Sequence, residues 1–75
     1  MNRNEIRKHT CIIIRRNGEY LLGKKWMTED LLWTWSAYDA WRTRDREAAE
    51  AVARVLGGEM VLFNPVIGKT KLIGT

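Results

Sequence analysis

The chain has little of what usually staples or equips a protein this small. Its 75 residues contain one cysteine, Cys11, and one histidine, His9. A lone cysteine excludes an intrachain disulfide. One cysteine and one histidine fall short of the four ligands of a structural zinc site. Proline occurs once, at Pro65, and phenylalanine once, at Phe63. No apolar run approaches the roughly 20 residues of a membrane-spanning helix. The start, Met1 to Lys8, leads into only a short apolar run with no small-residue cleavage site. No signal peptide is expected, and the expected location is the cytoplasm. Linkers, repeats and low-complexity segments are absent as well, so residues 1–75 are expected to form one domain.

A domain of this size buries a low fraction of its surface. Without a disulfide or a structural metal, the expected support is a second copy of the chain, and a homo-oligomer is expected. Net charge is +4. The basic residues cluster: Arg3 to Lys25 hold one group, Arg42, Arg44 and Arg46 a second, Lys69 and Lys71 a third. Such a bias favours anionic partners without requiring them.

Residues 9–16 are rich in β-branched side chains and read as a strand. Asn17-Gly18 is a strong hairpin signal, because both turn positions need positive φ. The returning strand runs from Glu19 to about Lys25. A two-residue loop predicts Arg15 opposite Tyr20, Ile14 opposite Leu21, Ile13 opposite Leu22 and Ile12 opposite Gly23. Both faces of this hairpin are apolar, so one face is expected to meet a helix and the other a second subunit. Leu31 to Ser36 reads as a third strand with Trp33 and Trp35 on one face. Tyr38 to Trp41 fits either a loop or a short helical turn. A helix is predicted over 46–56, with Asp45 as N-cap, Thr43 as the alternative, and Gly57-Gly58 as its end. Ala48, Val52, Val55 and Leu56 supply its apolar stripe, with Ala49 and Ala53 as small flanking residues. Residues 59–63 and 69–73 complete the strands, with an Asx turn at Asn64-Pro65. The order β-β-β-α-β-β predicts an α+β fold: a small, mostly antiparallel sheet with one helix packed on a face.

Catalytic chemistry is sparse. His9 and Cys11 share a strand face, but no third group orients them. A small buried thiol and an edge histidine is the preferred reading. No glycine-rich phosphate loop is present. Arg46-Glu47-Ala48-Ala49-Glu50-Ala51 is similar to the Arg-Glu-x-x-Glu-Glu core of the Nudix hydrolase box. Ala51 stands where a metal-binding glutamate would be, and the upstream glycine and acid are out of register. The fragment is read as ordinary helix composition. The chain is therefore expected to be non-enzymatic, with no cofactor and no metal.

What the chain does have is aromatic and basic. Three of its four tryptophans, with Tyr38, Arg42 and Arg44, fall within residues 33–44. Aromatic rings beside guanidiniums can stack a base and hold a phosphate. The same residues suit a small core or an interface equally. Trp33 and Trp35 divide evenly between packing and stacking. Trp41, between the predicted elements, has even odds of facing a ligand. Arg42 and Arg44 precede the helix, where an anion is favoured. The candidate ligand-binding set is Trp33, Trp35, Tyr38, Trp41, Arg42, Arg44, Lys69 and Lys71.

The string Leu-Leu-Trp-Thr-Trp-Ser-Ala-Tyr-Asp-Ala-Trp-Arg-Thr-Arg-Asp-Arg-Glu-Ala-Ala, with Leu-Gly-Gly-Glu-Met-Val-Leu-Phe-Asn-Pro-Val-Ile-Gly downstream, resembles short phage and prophage proteins of gut bacteria. That resemblance implies a protein that acts by binding. Its leading form is a sponge that sequesters a nucleotide-like host defence signal. The alternatives are an inhibitor of a host defence protein, in the manner of anti-CRISPR proteins, and a small nucleic-acid binder.

Overall fold

The computed structural model describes residues 9–24 and 31–73. Their strands are β1 (Cys11–Arg16), β2 (Glu19–Lys24), β3 (Leu31–Thr34), β4 (Glu59–Asn64) and β5 (Lys69–Leu72). A 3-10 turn at Ala37–Asp39 and helix α1 (Arg46–Leu56) lie between β3 and β4. The strands form one antiparallel sheet in the order β3-β2-β1-β4-β5. With α1 against one face, the α+β architecture is as predicted. No helix among the described residues is long and apolar enough to cross a membrane. Residues 27–30, which read as a polar connection between the second and third strands, lie outside the described residues, as does the predicted end of the second strand at Lys25.

β1 is central because it is apolar on both sides. Ile12 and Ile14 join Leu21, Met60, Ala49 and Ala53 on the helix side. Cys11 and Ile13 join Val61, Phe63 and Ala40 on the other. That second face was expected to need another subunit. Instead the chain closes much of it with the segment after β3, where Ala37 and Ala40 pack down beside Tyr20.

The hairpin turn forms as read, with Asn17 at φ 52° and Gly18 at φ 81°. The predicted register holds only beside the turn, at Arg15↔Tyr20 and Arg16↔Glu19. Farther along, residues 41–43 enter between β1 and β2. The Trp41 amide donates to the Leu21 carbonyl at 2.8 Å, and Ile12 and Thr43 exchange two backbone bonds at 2.8 and 3.0 Å. Ala40 packs on one side of the sheet and Trp41 on the other, so the chain crosses the sheet here. Ladder groups that a closed hairpin would pair across β1 and β2 are paired through this segment instead.

α1 begins and ends where its residues dictate. Asp45 is the N-cap: its carboxylate accepts from the Glu47 and Ala48 amides at 3.0 and 3.3 Å. Thr43 takes the neighbouring role, its hydroxyl accepting from the Asp45 amide at 3.0 Å. Gly57 closes the helix in the left-handed region at φ 67°. Asp45→Ala should cost about 1 kcal/mol in chemical denaturation, the usual loss of an N-cap. Of the predicted stripe, Val52 and Leu56 pack half-buried against the core. Ala49 and Ala53 are buried, whereas Val55 is 82% exposed. Ala49 and Ala53 meet Ile12, Ile14 and Met60 of β1 and β4 beneath the helix.

Candidate functional site

The structure distributes the candidate residues over both faces of the sheet. Trp33 is half-buried on the helix side, and the Arg16 guanidinium carbon sits 4.2 Å from its ring centroid. Arg16 also donates to the Leu56 carbonyl at 3.1 Å, tying the end of α1 to the sheet. One face of Trp33 is therefore occupied by the protein itself. Trp41 is also half-buried on the helix side, at the wall of an apolar cleft with Leu21, Val52 and Leu56. Its ring is packed against the core on one side and lines the cleft on the other.

Trp35 departs from its predicted place. β3 ends at Thr34, and Trp35 turns outward with 75% of its surface exposed, its ring beside Gly18. The Thr34 hydroxyl accepts from the Ser36 amide at 3.1 Å and bends the chain off the sheet edge. Trp35 does not share the strand face of Trp33. Lys69 and Lys71 lie opposite Asn64 and Leu62 in the ladder, on the helix side of the sheet.

On the far side, three candidates come together. Tyr38, 56% exposed, stands in the 3-10 turn with its ring 5.1 Å from Phe63 at 88°. Its hydroxyl rests on the β4–β5 turn, so close that a Cβ on Gly68 would lie 2.7 Å from it. That turn is the predicted Asx turn: the Asn64 side-chain carbonyl accepts from the Val66 and Ile67 amides at 2.9 and 3.4 Å. Arg42 is exposed and donates to the Tyr38 carbonyl at 2.7 Å. Arg44 is exposed nearby, and both guanidiniums act on the Cys11 thiol. Salt bridges among the described residues join Arg15 to Glu59 and Arg46 to Glu50; neither Arg42 nor Arg44 takes part in one.

Sequence reasoning selected Tyr38 and both arginines but missed their supports, Phe63 and Gly68. Those lie far along the chain, and no local pattern marks them as neighbours of Tyr38.

The remaining chemistry is quiet. Cys11 is buried and its thiol donates to the Phe63 carbonyl at 3.4 Å. Burial pushes its pKa up, against the opposing pull of Arg42 and Arg44. Such a thiol is not activated as a nucleophile. Arg46 and Glu50, from the Nudix-like fragment, bond each other at 3.2 Å on the surface of α1. No protein-family model matches the chain, and neither a curated protein nor a solved structure matches it.

Proposed function

We propose that the chain is a non-catalytic binding protein for a nucleotide-like anion, acting in a bacterial host as a phage sponge for a defence signal. One observation carries this reading. A largely exposed ring, Tyr38, is fixed by Phe63 and Gly68 beside two exposed arginines with no carboxylate partner among the described residues. A base stacks on Tyr38 while Arg42 and Arg44 hold phosphate. Arg42 is already oriented by its bond to the Tyr38 carbonyl, so little freedom is lost on binding. A sponge needs only to bind, and nothing in this arrangement has to break a bond.

The test pairs native mass spectrometry of the purified protein with calorimetric titration of mononucleotides and cyclic dinucleotides. Tyr38→Ala should weaken binding by about 1–3 kcal/mol, the worth of one stacked base. Arg44→Ala should cost about 1.5–3 kcal/mol, the worth of a charge-assisted bond. Trp41→Ala should leave affinity unchanged, because its ring lies across the sheet. Absence of nucleotide binding, or affinity indifferent to both site variants, would sink the reading. Steep dependence on salt and strand length would point to nucleic acid instead.

Trp35 favours a second reading. A tryptophan exposed to 75% beside a hairpin tip carrying Arg15 and Arg16 has the composition of a protein-binding hot spot. A purified host defence enzyme inhibited by the wild type and spared by Trp35→Ala would support an inhibitor.

A further inference from the structure

α1 carries an apolar surface that the fold leaves open. From Ala49 and Ala53, which face the sheet, apolar side chains continue round the helix through Leu56, Val52, Ala48 and Val55 to Ala51. At 100° per residue this arc spans about 200°, just over half the helix circumference, and no charged residue interrupts it. Val55 is 82% exposed. Between this arc and β2 lies a cleft of about 420 Å³, with Leu21, Gly23 and Trp41 as its other wall. Glu47 and Arg54 border the outer rim of the arc at opposite ends of α1. Neither has an ion-pair partner among the described residues.

We propose that this face is a twofold interface with a second copy of the chain, the two α1 helices running antiparallel and crossing at Ala51. Three features select a second copy in this orientation. Ala51 lies midway between Glu47 and Val55 on the exposed side, and its methyl group lets two helix backbones approach closely. An antiparallel crossing carries Glu47 of each chain toward the partner's Arg54, so the same favourable contact forms twice. A parallel crossing would set glutamate on glutamate and arginine on arginine. The patch also holds both a protruding Val55 and an adjoining apolar cleft, so it is complementary to itself.

The area required is modest. A stable dimer covers roughly 800 Å² per partner, about a seventh of the 5532 Å² that this chain exposes. Self-association was expected from the second face of the hairpin, but the chain closes much of that face itself. The helix carries an open apolar surface, with Val55 the most exposed aliphatic side chain among the described residues. This inference is independent of the nucleotide reading, because Tyr38 lies on the opposite side of the sheet.

Sedimentation velocity from micromolar to hundreds of micromolar protein tests it. The wild type should shift from monomer to dimer across this range. Val55→Glu, at an exposed position that leaves the fold intact, should raise the dissociation constant about 30-fold or more, the loss typical of an interface hot spot. Glu47→Arg alone should weaken the dimer, Arg54→Glu alone should do the same, and the two together in one chain should restore it. The swap pair keeps the test decisive if Val55→Glu fails to fold. A wild type monomeric throughout, a dimer indifferent to Val55→Glu, or a double swap that recovers nothing would overturn the proposal.

Discussion

Gly58→Val should destabilise the domain by about 3 kcal/mol or more, at or beyond the upper end of overpacking costs. A Cβ at this position would stand 2.9 Å from Ile14 Cγ2 and 3.1 Å from the Arg15 carbonyl oxygen. Neither neighbour can give way. Ile14 has no exposed surface, and the Arg15 carbonyl belongs to the central strand of the sheet. The adjacent glycine provides the contrast. Gly57 sits at φ 67° with open space around its would-be Cβ. Gly57→Ala should therefore cost only the left-handed backbone strain, about 1–2 kcal/mol. Two glycines in sequence thus have different jobs: the first reverses the helix, and the second lets the chain pass against β1. Urea denaturation of both variants separates them. If Gly58→Val unfolds at the wild-type midpoint, the helix exit is not packed on β1 as described.

This pair also shows which parts of the fold were legible. Gly57-Gly58 marked the end of α1 because a left-handed cap is a local demand that the sequence must meet locally. The Asn17-Gly18 turn, the Asp45 cap and the Asn64 turn were legible for the same reason. Each is made by residues within a few positions of one another. The close approach of Gly58 to Ile14 joins residues far apart, and nothing near Gly58 announces it. The passage of residues 41–43 between β1 and β2 was hidden for the same reason. The two-residue loop predicted a hairpin paired along its length, and a third segment displaced that pairing.

The tryptophans show a different limit. Trp33 and Trp35 have identical spacing credentials, yet one is half-buried and the other is 75% exposed. The difference is where β3 stops. The bond between the Thr34 hydroxyl and the Ser36 amide ends the strand one residue before Trp35. Period-two reasoning identifies faces but not the residue at which a strand leaves the sheet. For the helix, hydrophobicity chose the larger side chains as the buried stripe. The helix rests on the flanking alanines, with Val52 and Leu56 half-buried beside them, and Val55 is left outside. The candidate site was legible as a composition, rings beside arginines, but not as a place. Its place depends on Phe63.

Phe63→Ala should be the most damaging single truncation, costing about 3–5 kcal/mol. Phe63 is fully buried on the face opposite α1, with Ile13 and Val61 around it. Removing its ring leaves a cavity that β4, bonded to β1 on one side and β5 on the other, cannot shift to close. For a domain whose total stability is about 5 kcal/mol, such a loss approaches unfolding. A milder change isolates its second role. Phe63→Leu keeps apolar volume in the core but removes the ring that Tyr38 meets at 88°. Aromatic pairs of this geometry contribute about 0.5–1.5 kcal/mol beyond their buried area. A double-mutant cycle of Phe63→Leu with Tyr38→Ala should therefore show a coupling of that size in denaturant stability. If the pair fixes the stacking surface, Phe63→Leu should also weaken nucleotide affinity while the protein stays folded. A zero coupling would mean that Tyr38 is held by the Gly68 turn alone. In that case the ring is steadied from one side only, and the core beneath it has no part in presenting it to a ligand.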